Sequence, residues 1–177
     1  MNKRRTSISW VEAGKISLRG FAIEDLIGKL SFGETLYLLL LGKMPPENHA
    51  RLLEAILISV IDHGVKPPST ITAVTVANTG GSLNAAVAAG ILAINEYHGG
   101  AIEKAMYAIS EAVKLQEKKG LDKLESAAEL VDQYKSSKQR LSGFGHRFHG
   151  SDPRTVRLFE IAKELQIDGK YVEQAKA

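Results

Sequence analysis

Apolar and polar positions follow two rhythms along the chain. Residues 6–19 (TSISWVEAGKISLR) alternate on either side of Ala13-Gly14, the two-residue period of a short hairpin. Everything beyond carries helical patterning. Ser31 with Glu34 predicts a capping box ahead of the apolar run Leu36–Leu41, Gly42 ends that helix, and Pro45-Pro46 mark the turn. Over residues 47–62, Leu52, Leu53, Ile56, Leu57 and Val60 share one face, with Gly64 as the expected C-terminal cap. Pro67-Pro68 break the chain, and Ser69 is the expected N-cap of the next helix.

Residues 71–77 are β-branched enough for a strand, but the Leu, Ala and Gly patterns around them favour helix. The segment SLNAAVAAGILAI (82–94) is apolar nearly all round, which predicts a small-residue helix buried on most sides. Helices over 102–118 and 122–138 are rich in Lys and Glu; Gly120 closes the first and Asp122 caps the second. Asp152-Pro153 starts another helix that runs to Leu165. Gly169 interrupts, and residues 171–177 begin a helix with no stop signal. The expectation is an all-α fold of at least seven helices behind a short N-terminal β-hairpin, with its C-terminal part incomplete.

Composition narrows the picture. With 44% hydrophobic and 24% charged residues the 177-residue chain is globular rather than disordered. Aromatics make up 6%, so the core must rest on Leu, Ile, Val and Ala. The absence of cysteine excludes disulfides, thiolate metal sites and a Cys nucleophile. A net charge of +3 is weak support for nucleic acid, and none is expected as a partner. Leu36–Leu41 and Ala85–Ile94 are far shorter than the ~20 residues of a membrane span. MNKRRTSISW lacks the apolar core of a secretory signal, so a cytoplasmic address is expected.

Four of the five histidines lie beside glycine at expected helix ends or loops: DHG (62–64), YHGG (97–100), and His146 and His149 in GFGHRFHG (143–150). Glycine next to imidazole lets a ligand reach backbone and ring together. His49, in a Pro/Glu/Asn-rich helix start, reads as a surface residue. For His63 the simpler role is a helix C-terminal cap favoured by the dipole. For His98, capping and ligand binding stand level. The segment GFGHRFHGSDPR (143–154) gathers two His, two Arg, an Asp and three Gly before a helix N-terminus, which suits a phosphate or carboxylate. A metal on His146, His149 and Asp152 is the rival, but Arg147 would repel a cation and no metal is expected. Gly80-Gly81 and Gly99-Gly100 lack phosphate-loop spacing, and no GxSxG elbow occurs.

Together, RGFAIEDL (19–26), SFGETLYLLLLGKMP (31–45), IDHG (61–64), YHGGA (97–101) and GFGHRFHGSDPR (143–154) resemble, in order, the citrate synthase superfamily. The HGGA and GFGHR…DPR pair carries most of the specificity. The HRFH wording is closer to the small citryl-CoA lyase-type members. The resemblance implies an all-helical two-domain subunit, with residues 1–100 in a large domain and 101–177 in a small one. It further implies a homodimer with its active site between the domains. The implied reaction makes or cleaves the carbon–carbon bond between an acetyl-CoA unit and oxaloacetate. Cleavage of citryl-CoA is favoured over condensation to citrate; a non-catalytic homologue that binds CoA or a dicarboxylate is the other alternative.

By the same resemblance His98 would donate a hydrogen bond to the thioester carbonyl, and His146 to the ketone oxygen of oxaloacetate or the hydroxyl of citryl-CoA. His63 and Arg154 would bind carboxylates, while Gly143, Phe144 and Gly145 would bring backbone to the CoA adenine. The ligands are an acyl-CoA with a four-carbon keto acid, or citryl-CoA. No cofactor is implied, since the CoA thioester is substrate. These roles make physical sense: an enol needs fixed donors in a dry site, neutral imidazole can share its proton, and Arg matches carboxylates through its planar fork.

The sequence also departs from the pattern. The family's proton-abstracting Asp lies in an NVD-like motif downstream of DPR; none follows Arg154, and Asp168 in QIDGK is too close. Pro67, Pro68 and Val74 stand where citrate synthases commonly carry polar or basic residues. The expectation is that the remaining machinery lies in a continuation of the chain.

Overall fold

The computed structural model describes residues 6–145 and 152–177. These form strands β1 (Ser9–Glu12), β2 (Lys15–Leu18) and β3 (Phe21–Ala22), then helices α1 (Ile23–Leu26), α2 (Phe32–Leu41) and α3 (Glu47–Ser59). There follow α4 (Pro68–Asn78), α5 (Leu83–Leu92), α6 (Ala101–Lys119), α7 (Lys123–Ser136), α8 (Pro153–Glu164) and α9 (Lys170–Lys176). Among the described residues the regular structure is helical apart from the small sheet, as the patterning predicts. It divides into two compact units: Met1–Val60 with Arg157–Ile167, and Ile61–Val156 with Asp168–Ala177. The expected assignment of residues 1–100 and 101–177 to a large and a small domain concerns the complete family fold and stays an expectation. Among the described residues no helix is long and apolar enough to cross a membrane.

In the first unit β1 and β2 pair antiparallel around Ala13-Gly14, with Glu12 opposite Lys15. A second turn at Arg19-Gly20, both at positive φ (50° and 87°), adds β3, a strand the alternation does not reveal. The Arg19 side chain crosses to α2, where Nε and Nη2 donate to the Leu39 carbonyl at 2.9 and 2.7 Å. Helix α2 begins with the expected capping box: Ser31 Oγ accepts from the Glu34 amide, and Glu34 Oε2 accepts from the Ser31 amide. It ends at Gly42, whose φ of 71° is the left-handed conformation glycine adopts most readily. Helix α3 packs closely on α2 because Gly33 carries no side chain; a Cβ there would lie 3.1 Å from Glu54 Cβ. Leu38 is completely buried in this unit.

Two expected caps are corrected. Helix α3 stops at Ser59 with Val60 as its cap, so Gly64 does not close it. Beyond it Asp62 Oδ1 accepts from the Gly64 amide at 3.1 Å, a local side-chain turn that competes with helix continuation. Helix α4 takes Pro67 as N-cap and Pro68 as its first residue, so Ser69 lies inside the first turn and caps nothing. Proline's fixed φ and missing N–H suit that first position.

The second unit rests on Ala108, Ala112 and Leu130, with Leu115, Tyr134 and Leu141 packed around them. Helix α7 opens with a second capping box, Asp122 with Glu125. Helix α9 locks onto α7: Gln174 Nε2 donates to the Lys123 carbonyl, and buried Ser126 Oγ donates to Gln174 Oε1. Lys123 pairs with Glu173, and Lys170 with Glu117. The β-branched segment at 71–77 is indeed helix, within α4. Helix α5 departs from expectation. Ala86 and Gly90 are buried, but Leu83, Val87, Ile91 and Leu92 are 83, 51, 62 and 76% exposed. Within this chain α5 is covered along the stripe that meets α4, and its remaining apolar face is open.

Candidate functional site

The site is built where three pieces of the second unit meet: the loop carrying His63, the start of α4, and the turn ahead of α6. The loop is tied down on both sides of His63. Asp62 takes the Gly64 amide, and Thr70 Oγ1 on α4 donates to the Gly64 carbonyl at 3.0 Å. The capping role considered for His63 is therefore overturned, because its helix has already ended.

His98 sits in a turn closed by its own backbone. The Asn95 amide donates to the His98 carbonyl at 2.8 Å, and the His98 and Gly100 amides donate to the Asn95 carbonyl at 3.0 and 3.1 Å. Asn95 Nδ2 reaches back to the Leu92 carbonyl, which fastens the turn to the end of α5. The two following glycines are required by space. At Gly99, where φ is 101°, a Cβ would lie 2.7 Å from Ile94 Cγ2; at Gly100 one would lie 2.7 Å from the Glu96 carbonyl oxygen. Helix α6 starts immediately afterwards at Ala101.

These constraints bring His98 beside His63, with ring centroids 5.9 Å apart and planes tilted by 33°. His98 Nε2 lies 2.9 Å from Ser69 Oγ. Ser69 holds its place because Gly90 lets α5 approach: a Cβ at Gly90 would stand 3.1 Å from the Ser69 carbonyl. Sequence reasoning read Ser69 as a cap. Pro68 carried the contrary signal, since a proline at the first helical position moves the following serine into the helix.

The glycine loop lies against the same helix start. Gly143 has φ 89°, and a Cβ there would fall 2.5 Å from Ala105 Cβ and 3.0 Å from the Ala101 carbonyl oxygen. Phe144 is half-exposed and Gly145 is at φ 124°. His146, Arg147 and His149 lie outside the described residues, and with them the alternative metal set that needs His146 and His149.

Arg154, on the first turn of α8, turns its fork onto Asp152: Nε donates at 3.0 and 3.2 Å, and Nη2 at 2.6 Å. The hydrogen-bonded carboxylate raises the guanidinium above its ordinary pKa, so it stays a fixed cation. His49 belongs to the first unit, edge-on to Tyr37 at 6.3 Å. It lines an apolar recess of about 370 Å³ with Leu52, Leu53 and Ile56.

Chemically, the His63–His98–Ser69 cluster offers two imidazoles beside each other, one with a ring nitrogen already engaged by a hydroxyl. If Ser69 donates to Nε2, His98 presents Nδ1–H outward as a fixed donor.

Comparison with known proteins adds an independent line. Residues 42–177 match the family model described as citrate synthase, C-terminal domain. The citryl-CoA lyase structure from Hydrogenobacter thermophilus is 41% identical, with a TM-score of 0.86 over 98% of this chain and 65% of that one. Citrate synthase of Helicobacter pylori is 37% identical over 168 residues, 94% of this chain and 35% of the relative. The ATP citrate lyase of Methanosaeta concilii, solved with (3S)-citryl-CoA, shares the fold (TM-score 0.80, 24% identity, 99% of this chain and 28% of that one). The chain spans 15–35% of the length of the curated relatives it matches.

Proposed function

The chain belongs to the citrate synthase family, and on that premise we propose that it cleaves citryl-CoA to acetyl-CoA and oxaloacetate. The observation that carries the reading is the pair of imidazoles at 5.9 Å, with His98 hydrogen-bonded to Ser69. The 41% identity to a citryl-CoA lyase supports the direction.

In this reading His98, held by Ser69, donates through Nδ1 to the thioester carbonyl oxygen. Breaking the carbon–carbon bond leaves its electron pair on the acetyl fragment, as the enolate of acetyl-CoA. A donor aimed at that oxygen stabilises the enolate more than the ground-state carbonyl, so it lowers the barrier. On the other fragment the citryl hydroxyl passes its proton to the His146 imidazole, its hydrogen-bond partner, as it becomes the ketone of oxaloacetate. The enolate then takes up one proton at carbon to give acetyl-CoA, the reverse of the abstraction that the resemblance assigns to the family's Asp. His63 and Arg154 bind carboxylates. The Asp152 pair uses Nε and Nη2 of Arg154, and among the described residues Nη1 is left for substrate. Gly143, Phe144 and Gly145 offer backbone to the adenine of CoA. The reaction needs no cofactor beyond the CoA thioester.

The reading carries with it a cytoplasmic homodimer. The open apolar face of α5, with Leu83, Val87 and Ile91 exposed, supports pairing with a second copy. Net condensation to citrate is the second reading, favoured by the citrate synthases among the relatives.

The test is to supply the intact native protein with citryl-CoA, and separately with acetyl-CoA plus oxaloacetate. Loss of the citryl thioester with release of oxaloacetate is expected. Faster release of free CoA from the second mixture selects condensation, and inertness toward both overturns the enzyme reading.

A further inference from the structure

Between the turn that holds His98 and the body of α6 lie two consecutive glycines, Gly99 and Gly100. The backbone bonds of the turn end at the Gly100 amide. Across this junction Lys104 Nζ, one turn into α6, donates to Glu96 Oε1 at 2.6 Å. Glu96 is in the His98 turn, and its own carbonyl oxygen is the atom a Cβ at Gly100 would strike. Lys104 neighbours Ala105, the residue against which Gly143 packs. The ion pair thus joins two halves of the candidate site, His98 on one side of the glycines and the Gly143 loop on the other.

We propose that Glu96 and Lys104 are positioning residues, whose ion pair fixes His98 relative to the Gly143–Gly145 loop and so sets the thioester carbonyl of a bound CoA ester onto the His98 ring. This rests on the thioester chemistry proposed above. The Glu96 and Lys104 side chains are about half-exposed, at 58 and 47%, so the pair contributes little to global stability. Its effect is geometric. A long ligand gripped at its nucleotide end is sensitive to the distance between grip and reacting centre, because misplacement of the reacting atoms raises the barrier without loosening the grip. The Glu96 hydrogen bond raises the Lys104 pKa above its ordinary value.

The experiment compares wild type, Glu96→Gln, Lys104→Gln and the charge-swapped Glu96→Lys/Lys104→Glu, all in the intact protein. Each is assayed with citryl-CoA and with a citryl thioester of pantetheine that lacks the nucleotide. Each single variant is expected to lose roughly five- to twentyfold in kcat with citryl-CoA while KM moves less than about twofold, and the swapped pair to recover most of that loss. With the truncated thioester, which has no nucleotide end to register, all four proteins should differ by less than about twofold. Unchanged kcat in the single variants, no recovery in the swapped pair, or equal losses with both substrates would overturn the proposal.

Imidazole NMR of His98 in the ligand-free proteins supplies a readout that does not depend on turnover. Its ring signals should move in the single variants and return in the swapped pair. Should wild type turn over neither thioester, the functional reading falls, and identical His98 signals in all four proteins would overturn the positioning role as well.

Discussion

Ser69 and His98 lie 29 positions apart, yet their side chains meet at 2.9 Å, and the chemistry proposed for His98 depends on that contact. Replacing His98 with Ala should lower kcat for citryl-CoA by roughly 10²–10³, the scale for removing one donor from a developing oxyanion. Ser69→Ala should cost less, roughly tenfold, because the ring remains but loses the hydroxyl that holds it in position; Ser69→Thr, which keeps a hydroxyl, should recover most of it. Equal rates for wild type and Ser69→Ala would remove Ser69 from the account. At Gly143 an added methyl meets both a left-handed φ and Ala105, so Gly143→Ala should raise KM for the CoA ester at a strain cost of about 1–3 kcal/mol. Local chemistry was legible at this scale and long-range chemistry was not. The Ser31–Glu34 box and the Asp122 cap close within one turn and are legible from spacing; the return bond from the Asp122 amide to Glu125 is what the structure adds. The Ser69–His98 contact depends on Gly90 admitting α5 against α4; the small residues of 82–94 announce a helix that neighbours can approach closely, but not which neighbour it meets.

Elements divide in the same way. Helix α4 forms despite its β-branched residues because Pro68 fixes its start and α5 packs along it, and its Thr hydroxyls are satisfied on the helix's own carbonyls, as Thr72 is on Pro68. Strand β3, two residues long, gives alternation no length to register; Gly20 is its sequence signal, suited to the positive φ of 87° found there. The end of α3 differs for another reason: the helix closes at Val60, and the Gly64 amide is taken by Asp62 in a separate turn. Helix α9 provides a pH test of an element. Hydrogen bonds from Lys123 and Lys176 lower Glu173 from 4.5 to about 2 in the folded chain. A depressed carboxylate stabilises the fold above its unfolded pKa, and that contribution is lost as pH falls through the folded value. Between pH 4.5 and 2 the wild type should therefore lose more thermal stability than Glu173→Gln, as followed by circular dichroism; parallel losses would mean that α9 is not held by this pair.

For the whole molecule, the all-helical class and the order of the motifs were readable because they follow from patterning and from short segments rich in His, Gly and Arg. Burial was not, because it depends on what surrounds each helix. The small-residue helix expected to be enclosed has Leu83 and Leu92 more than three-quarters exposed. If a second copy covers this face, Leu83→Lys with Ile91→Lys should shift the sedimenting mass from dimer to monomer, whereas an unchanged mass would place the interface elsewhere. Helix α6 ties the scales together, with the His98 turn at its start and Gly143 against Ala101 and Ala105.

The most direct test of this arrangement is a structure of the intact protein with a non-cleavable citryl-CoA analogue. The account predicts the thioester carbonyl oxygen at about 3 Å from His98 Nδ1, with the adenine against the backbone of Gly143–Gly145. A thioester bound away from His98, with the Ser69 contact intact, would contradict it.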